Sequence, residues 1–229
     1  TTDGNEKTRT KYGVASWVYG EELGVREAMW FSPGDNKLAY YRFDESKVPD
    51  YYLTMDQSKI QDRLDVEAYP KAGAPNPVVE LYIYDLASRK TVKADIRAGD
   101  PQLGEYVYDV RWSSDGTELL FNRTNRKQNV MEFCAANPET GEVRTIIRET
   151  NPAAWTENHP AIQFLEPAPS KPAAARFLWL SERSGYRNIY LYDMSGKLIN
   201  PVTSHPFEVA NIVRVDQKRG YVWYMARAG

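Results

Sequence analysis

Met29-Trp30-Phe31-Ser32-Pro33-Gly34-Asp35-Asn36-Lys37-Leu38-Ala39-Tyr40 reads as a strand, a polar turn and a second strand. Its apolar ends flank a cluster of Ser, Pro, Gly, Asp and Asn, residues that accept the backbone angles of tight turns. The pattern returns as Val110-Arg111-Trp112-Ser113-Ser114-Asp115-Gly116 followed by Leu119-Leu120-Phe121. A second unit, Glu80-Leu81-Tyr82-Ile83-Tyr84-Asp85-Leu86, returns as Asn188-Ile189-Tyr190-Leu191-Tyr192-Asp193-Met194. Tyr82 and Tyr190 lie 108 positions apart, two steps of 54, and a degenerate copy at Val130-Met131-Glu132-Phe133 precedes the turn Asn137-Pro138-Glu139-Thr140-Gly141 between them.

Alternating apolar residues mark strands with one or both faces covered. A small twisted sheet cannot bury its faces alone, so such units must stack on one another. A spacing near 50 residues matches propeller blades, for which about 40–50 is usual. The fold class predicted is therefore all-β, a partial β-propeller of about three complete four-stranded antiparallel blades plus partial units; the competing architecture is a β-sandwich. Propellers have about four to eight blades, so three read as an open arc or as a unit that pairs with itself.

The bulk composition bounds the function. The 229 residues are 42% hydrophobic and 26% charged, with a net charge of −2, ordinary for a globular chain and without the basic footprint of a nucleic-acid binder. Aromatics make up 13% and favour strands, whose pleated surface packs broad rings well. The single cysteine, Cys134, excludes an internal disulfide and reads as a small buried side chain of a strand. No run of about 18 apolar residues suggests a membrane span, and no secretory signal opens the chain. The polar start at Thr1 and the strand-like end Tyr221-Val222-Trp223-Tyr224-Met225-Ala226-Arg227-Ala228-Gly229 suggest a piece of a longer protein.

Two intervals break the rhythm. Between Phe43 and Val78 lies a long insertion containing Val48-Pro49-Asp50-Tyr51-Tyr52-Leu53 and Tyr69-Pro70-Lys71-Ala72-Gly73-Ala74-Pro75-Asn76-Pro77. Its prolines favour an extended arm over a helix, and an insertion of this length is either a surface excursion or a subunit contact. The other interval is Trp17-Val18-Tyr19-Gly20-Glu21-Glu22-Leu23-Gly24, a short acidic segment beside a rigid sheet. Its adjacent carboxylates Glu21 and Glu22 suit the grip of a cation such as a peptide's free amino end, through charge-assisted hydrogen bonds; read alone, the pair is more simply two solvated surface acids.

Trp17-Val18-Tyr19-Gly20-Glu21-Glu22, the following Trp30-Phe31-Ser32-Pro33, the run Tyr69 to Pro77, and Ser181-Glu182-Arg183-Ser184-Gly185-Tyr186-Arg187-Asn188-Ile189-Tyr190 together resemble the dipeptidyl peptidase IV family, serine peptidases related to prolyl oligopeptidase. The resemblance spans nearly the whole chain in order. It implies that residues 1–229 are a fragment of an eight-bladed propeller that caps an α/β-hydrolase domain absent from this sequence. It implies a short helical double-glutamate segment at 17–24, with Glu21 and Glu22 as the substrate-binding residues that hold the N-terminal ammonium of a peptide. Cleavage then falls after the second residue, usually proline or alanine. Gly20 stands where many relatives carry a third acidic residue. The arm, about residues 44–77, corresponds to the one that helps form homodimers. The parent protein is expected to be periplasmic or secreted and to use no cofactor. Relatives also place aromatic and arginine contacts in a later blade, but Trp155-Thr156-Glu157-Asn158-His159 departs from that pattern.

The chain has no nucleophile elbow of the Gly-x-Ser-x-Gly kind. Its histidines, His159 and His205, sit in Pro-rich turns and read as structural or exposed. They are too few for a metal cluster, no Cys/His spacing suits zinc, and no Gly-rich phosphate loop occurs. The expected catalytic residues and metal ligands are therefore none, with Ser, Asp and His supplied by the rest of the parent. Two other functions compete. One is a non-catalytic propeller that binds proteins, which has no use for the Trp-Val-Tyr-x-Glu-Glu segment. The other is a polysaccharide-binding or lyase propeller, suggested only by aromatic richness.

Overall fold

The computed structural model describes residues 3–167 and 175–228. The chain divides into two compact units, 1–126 with 134–144 and 127–133 with 145–229, each described here by itself.

The first unit opens with β1 (Thr10–Tyr12), α1 (Trp17–Glu22), β2 (Met29–Phe31) and β3 (Lys37–Asp44). It continues through β4 (Asp50–Met55), β5 (Arg63–Ala68), β6 (Val78–Asp85) and β7 (Thr91–Lys93). β3 and β6 form the spine of its first sheet, antiparallel from Lys37 opposite Asp85 to Asp44 opposite Val78, and β7 adds beside β6. On the far edge of β3 stand two short strands in one row. β1 lies opposite Arg42–Asp44 and β2 opposite Leu38–Tyr40. Between them the β3 backbone at Tyr41 accepts the Gly13 N–H (2.9 Å) and donates its own N–H to Ala28 (3.0 Å). The first strand of this blade is thus a single track interrupted by an excursion, whose neck is closed by a bridge of Val14 with Glu27. α1 sits in that excursion.

Period-two patterning decides the core. Ala39, Tyr41 and Phe43 of β3 and Val79, Leu81 and Ile83 of β6 are buried on one face. They join Tyr19 and residues of β8 (Tyr106–Trp112) and β9 (Leu119–Thr124) in a single cluster. The repeated serines of the sequence also have a shared task. Ser32 Oγ accepts the N–H of Lys37 (3.0 Å), and Ser113 Oγ accepts that of Glu118 (3.0 Å). Each hydroxyl closes its turn from the same distance along the chain. In the second turn Gly116 takes φ +71°, where a side chain would be strained.

The insertion is more ordered than an extended arm. It is a two-stranded hairpin, β4 paired with β5 from Asp50 opposite Ala68 to Met55 opposite Arg63. Pro49 precedes it and Pro70, Pro75 and Pro77 follow it, so the prolines mark its borders. Arg9 ties its base through the Val48 carbonyl (2.9 Å) and an ion pair with Asp50.

β8 and β9 belong with β10 (Val130–Ala136) and β11 (Val143–Thr150) in a four-stranded sheet of order β11-β10-β9-β8; the division into units runs through β10 and β11. In the second unit, β12 (Ile162–Leu165), β13 (Arg176–Ser181), β14 (Asn188–Asp193) and β15 (Leu198–Pro201) form another four-stranded sheet in chain order. β16 (Val209–Asp216) and β17 (Tyr221–Ala226) pair as a final hairpin. Phe133, Phe177, Trp179 and Tyr192 stack at centroid distances of 5.5–6.2 Å, an arrangement that adds to plain burial. The described residues thus form the sheets of a partial β-propeller, three complete blades and a partial one, as the repeats predict.

Candidate functional site

α1 is too short to be stable by itself, so tertiary contacts must hold it. Ser16 precedes it in an extended conformation, and its carbonyl accepts the N–H groups of Tyr19 (3.0 Å) and Gly20 (3.2 Å). Gly24 then adopts φ +63°, which lets the Val25 N–H return to the Tyr19 carbonyl (3.0 Å) and stop the helix. The main fastening is Tyr19 itself. It is fully buried, packed edge-on against Phe43 (4.7 Å) and Tyr41 (5.9 Å). Its hydroxyl accepts the Val107 N–H (3.1 Å) and faces the Glu105 carbonyl (3.4 Å). Burial pushes the Tyr19 phenol well above its ordinary value, so it stays a neutral hydrogen-bonding group. One aromatic side chain therefore bolts the helix to the core, while Trp17, Gly20, Glu21 and Glu22 are exposed.

The two predicted site residues are adjacent on the last turn of this mounted helix. Glu21 Oε2 accepts the indole N–H of Trp17 (3.2 Å), one helical turn earlier. Tyr69, just after β5, lies near enough for its phenol to feel the same carboxylate. The charge of Glu21 raises the Tyr69 phenol above its usual value, and the charge of Glu22 adds to the effect. Trp17 meets the Tyr69 ring edge-to-face at 6.2 Å. The hydrogen-bond donor described for Glu21 is thus a neutral indole, which orients a carboxylate without cancelling its charge. Gly20 leaves room at its Cα: a Cβ there would meet only the Val25 carbonyl oxygen, at 3.8 Å, so a third acidic residue fits this helix.

A second polar site lies in the second unit, and sequence reasoning assigned it no role. A cavity of about 380 Å³ is lined by Arg148, Glu149, Trp155, Glu157, Trp179 and Arg183 among others. Glu149 Oε1 accepts the Trp179 indole N–H (3.2 Å) and an Arg183 N–H (2.6 Å). Arg183 lies over the rings of Tyr190 (4.7 Å) and Tyr192 (5.4 Å) and donates from Nε to Ser181 Oγ (3.0 Å). Trp155 overhangs the cavity with 75% of its surface exposed. The one sequence signal was an arginine in a Ser-Glu-Arg-Ser-Gly turn followed by Tyr-x-Tyr, a pair of same-face rings suited to a guanidinium.

Neither histidine lines the cavity. His159 is exposed. His205 stacks on Phe207 at 4.4 Å, and its Nε2 lies 2.7 Å from the Tyr224 hydroxyl, a packing role. Cys134 is buried. Among the described residues, no group of three or more His, Cys, Asp or Glu is arranged for a metal ion, and no helix is long and apolar enough to cross a membrane.

Comparison with known proteins gives consistent matches. The family described as dipeptidyl peptidase IV (DPP IV) N-terminal region matches residues 1–229. A protein named "Probable dipeptidyl peptidase 4" from Aspergillus flavus is 31% identical over 222 residues, covering 94% of this chain and 29% of that protein. Dipeptidyl peptidase 4 of Trichophyton rubrum is 30% identical over 220 residues, 93% of this chain and 28% of that protein. Among solved structures, dipeptidyl peptidase 4 of Porphyromonas gingivalis superposes with a TM-score of 0.84 at 30% identity, over 99% of this chain and 31% of that one. The chain therefore spans about 29% of the length of the curated relatives it matches.

Proposed function

Because the chain belongs to the family of dipeptidyl peptidase IV N-terminal regions, we propose that it is the substrate-recognising propeller segment of a serine dipeptidyl peptidase. In this reading Glu21 and Glu22 bind the N-terminal ammonium of a peptide. The observation that carries it is the mount: two adjacent, exposed carboxylates on a helical turn bolted to the sheet by the buried Tyr19. A carboxylate pair offers an ammonium several charge-assisted acceptors. Its fixed distance from a nucleophile on the hydrolase domain sets how many residues are removed. Since proton transfer and nucleophilic attack belong to that domain, this segment supplies binding and orientation. Length selectivity is its chemical contribution, and the products are X-Pro and X-Ala dipeptides.

The arm fits a subunit contact in a homodimer. Its ribbon exposes Tyr52, Ile60, Leu64 and Val66, and a lone two-stranded ribbon gains from being covered. The parent is assigned to the periplasm or the extracellular space, where peptides with free N-termini are met.

The test uses the full-length parent and a chromogenic Ala-Pro or Gly-Pro substrate. Losing one charge-assisted contact costs about 1.5–3 kcal/mol, so Glu21→Ala and Glu22→Ala should each lower kcat/KM by roughly tenfold to 150-fold. Unchanged kcat/KM in both variants would remove the pair from the mechanism. Residues 1–229 alone should release no chromophore, and turnover by that segment would show that the nucleophile had been misplaced.

A further inference from the structure

The arm turns an acidic face inward. Along β5, Leu64 and Val66 are exposed, whereas Asp65 and Glu67, on the alternate face of the strand, are half-buried. A half-covered strand ordinarily gives its covered face to apolar side chains. Here the acids take it, and they line a groove of about 700 Å³ together with Glu6, Arg9, Lys11 and Glu45. Glu45 is only 1% exposed. Its backbone is pinned on both sides, the N–H to the Arg9 carbonyl (2.9 Å) and the carbonyl to the Val48 N–H (3.0 Å). Its Oε2 pairs with the Lys11 ammonium at 3.0 Å. Its Oε1 is buried and has no hydrogen-bond partner among the described residues. A buried oxygen left in that state carries a desolvation cost that a donor removes. The other cation of the groove is committed elsewhere, since Arg9 is held by the Val48 carbonyl and by Asp50. The nearest cation described for Asp65 is Arg63, 3.9 Å away, and none is described for Glu6 or Glu67. The groove therefore carries more negative charge than its own cations balance.

We propose that this groove, between β1 and the foot of the arm, binds a guanidinium group, carried by a small molecule or by an arginine of a peptide. A guanidinium holds five N–H donors in a planar fork and sheds its water more readily than an ammonium does. Several donors on one cation serve Glu45 Oε1 and the acids of β5 together, as charge-assisted hydrogen bonds. The Lys11 ammonium on the sister oxygen of Glu45, and the lack of a metal-type cluster among the described residues, favour such a donor over a metal ion. Asp65 and Glu67 lie on the face of β5 opposite Leu64 and Val66, so a subunit that covers those apolar residues does not thereby fill the groove. The proposal asks nothing of Glu21 and Glu22.

The experiment is ligand-observed NMR on the full-length parent with two probes, ethylguanidinium and the peptide acetyl-Ala-Arg-Ala-amide, whose amino end is blocked. Both should bind, and binding should survive the double substitution Glu21→Gln with Glu22→Gln. Glu45→Gln should weaken both probes about tenfold or more, the cost of one charge-assisted contact. Asp65→Asn with Glu67→Gln leaves Glu45 in place and should weaken them about twofold to fivefold, as for partly exposed charges; this pair decides the matter if Glu45→Gln lowers the melting temperature. Tighter binding of the peptide assigns the groove to an arginine of a protein segment, and equal or tighter binding of ethylguanidinium assigns it to a small molecule. Failure of both probes to bind the parent overturns the proposal. So does binding that neither the Glu45 nor the Asp65–Glu67 substitutions weaken, and so does binding abolished by the Glu21–Glu22 substitutions, because the probes then sit elsewhere.

Discussion

Glu21 and Glu149 make the same contact and end in opposite states. Each accepts a tryptophan indole N–H at 3.2 Å, from Trp17 in one case and Trp179 in the other. Glu149 also receives the Arg183 guanidinium at 2.6 Å in a partly buried cavity. Its charge is already spent on holding β11, β13 and the Tyr190–Tyr192 rings together. The indole and phenol beside Glu21 are neutral, and the carboxylate faces solvent. What separates the structural acid from the one proposed to bind a ligand is the charge of its neighbours, not its geometry toward the indole. An internal cation satisfies Glu149, whereas in the proposed function Glu21 keeps its field for a cation that arrives from outside.

The difference between the two can be broken from the mount outward. Tyr19→Ala should have the largest effect, because it empties a fully buried aromatic site and leaves the Val107 N–H without its partner. About 3–5 kcal/mol of unfolding free energy should be lost, read by urea denaturation of this chain. A loss under 1 kcal/mol would show that α1 is held by something other than this ring. Next come the two acids. Glu149→Gln strands a guanidinium whose side chain is one-third exposed, and solvent screening limits the cost to about 1–2 kcal/mol. Glu21→Gln should stay within about 0.5 kcal/mol of the parent stability, even though it is expected to damage substrate binding. Equal destabilisation by both variants would erase the distinction.

The smallest effect is spectroscopic. The Tyr69 phenol is raised chiefly by the charge of Glu21, whereas that of Tyr192 is raised chiefly by burial, with Arg183 opposing and Glu149 a lesser contributor. A nearby carboxylate disfavours phenolate, so removing it lowers the phenol's pKa. In an alkaline NMR titration of ring resonances, Glu21→Gln should move Tyr69 back toward ordinary tyrosine more than Glu149→Gln moves Tyr192. The reverse order would mean that Tyr69 does not sense Glu21.

The sheets were legible in the sequence because their determinants are local. Ser32 and Ser113 each close a turn five residues ahead, so the strand-turn-strand unit is visible as text. Ala39, Tyr41 and Phe43 alternate as a half-covered strand must. The arm's hairpin was read only as extended because its prolines outweighed the alternation of Leu64, Val66 and Ala68 with Asp65 and Glu67 in β5; β4, its partner, is mostly exposed. α1, six residues long, has no room for a helical period; its reading came from likeness to known peptidases. Tyr69 and the Glu149–Arg183 pair escaped notice for a third reason. Each meets its partner across a long stretch of chain, Arg183 and Glu149 being 34 residues apart, and linear text carries no mark of such a meeting.

The interrupted first strand has a consequence for how such a protein can change. The feet of the excursion stand side by side, Gly13 and Ala28 flanking Tyr41 on one edge of β3, so residues added or deleted between them shift no rung of the ladder. The reach of the acidic tip can lengthen or shorten like a drawer sliding in a fixed cabinet. If Glu21 and Glu22 act as proposed, selectivity for where a peptide is cut is therefore free to drift during evolution while the architecture beneath it stays intact.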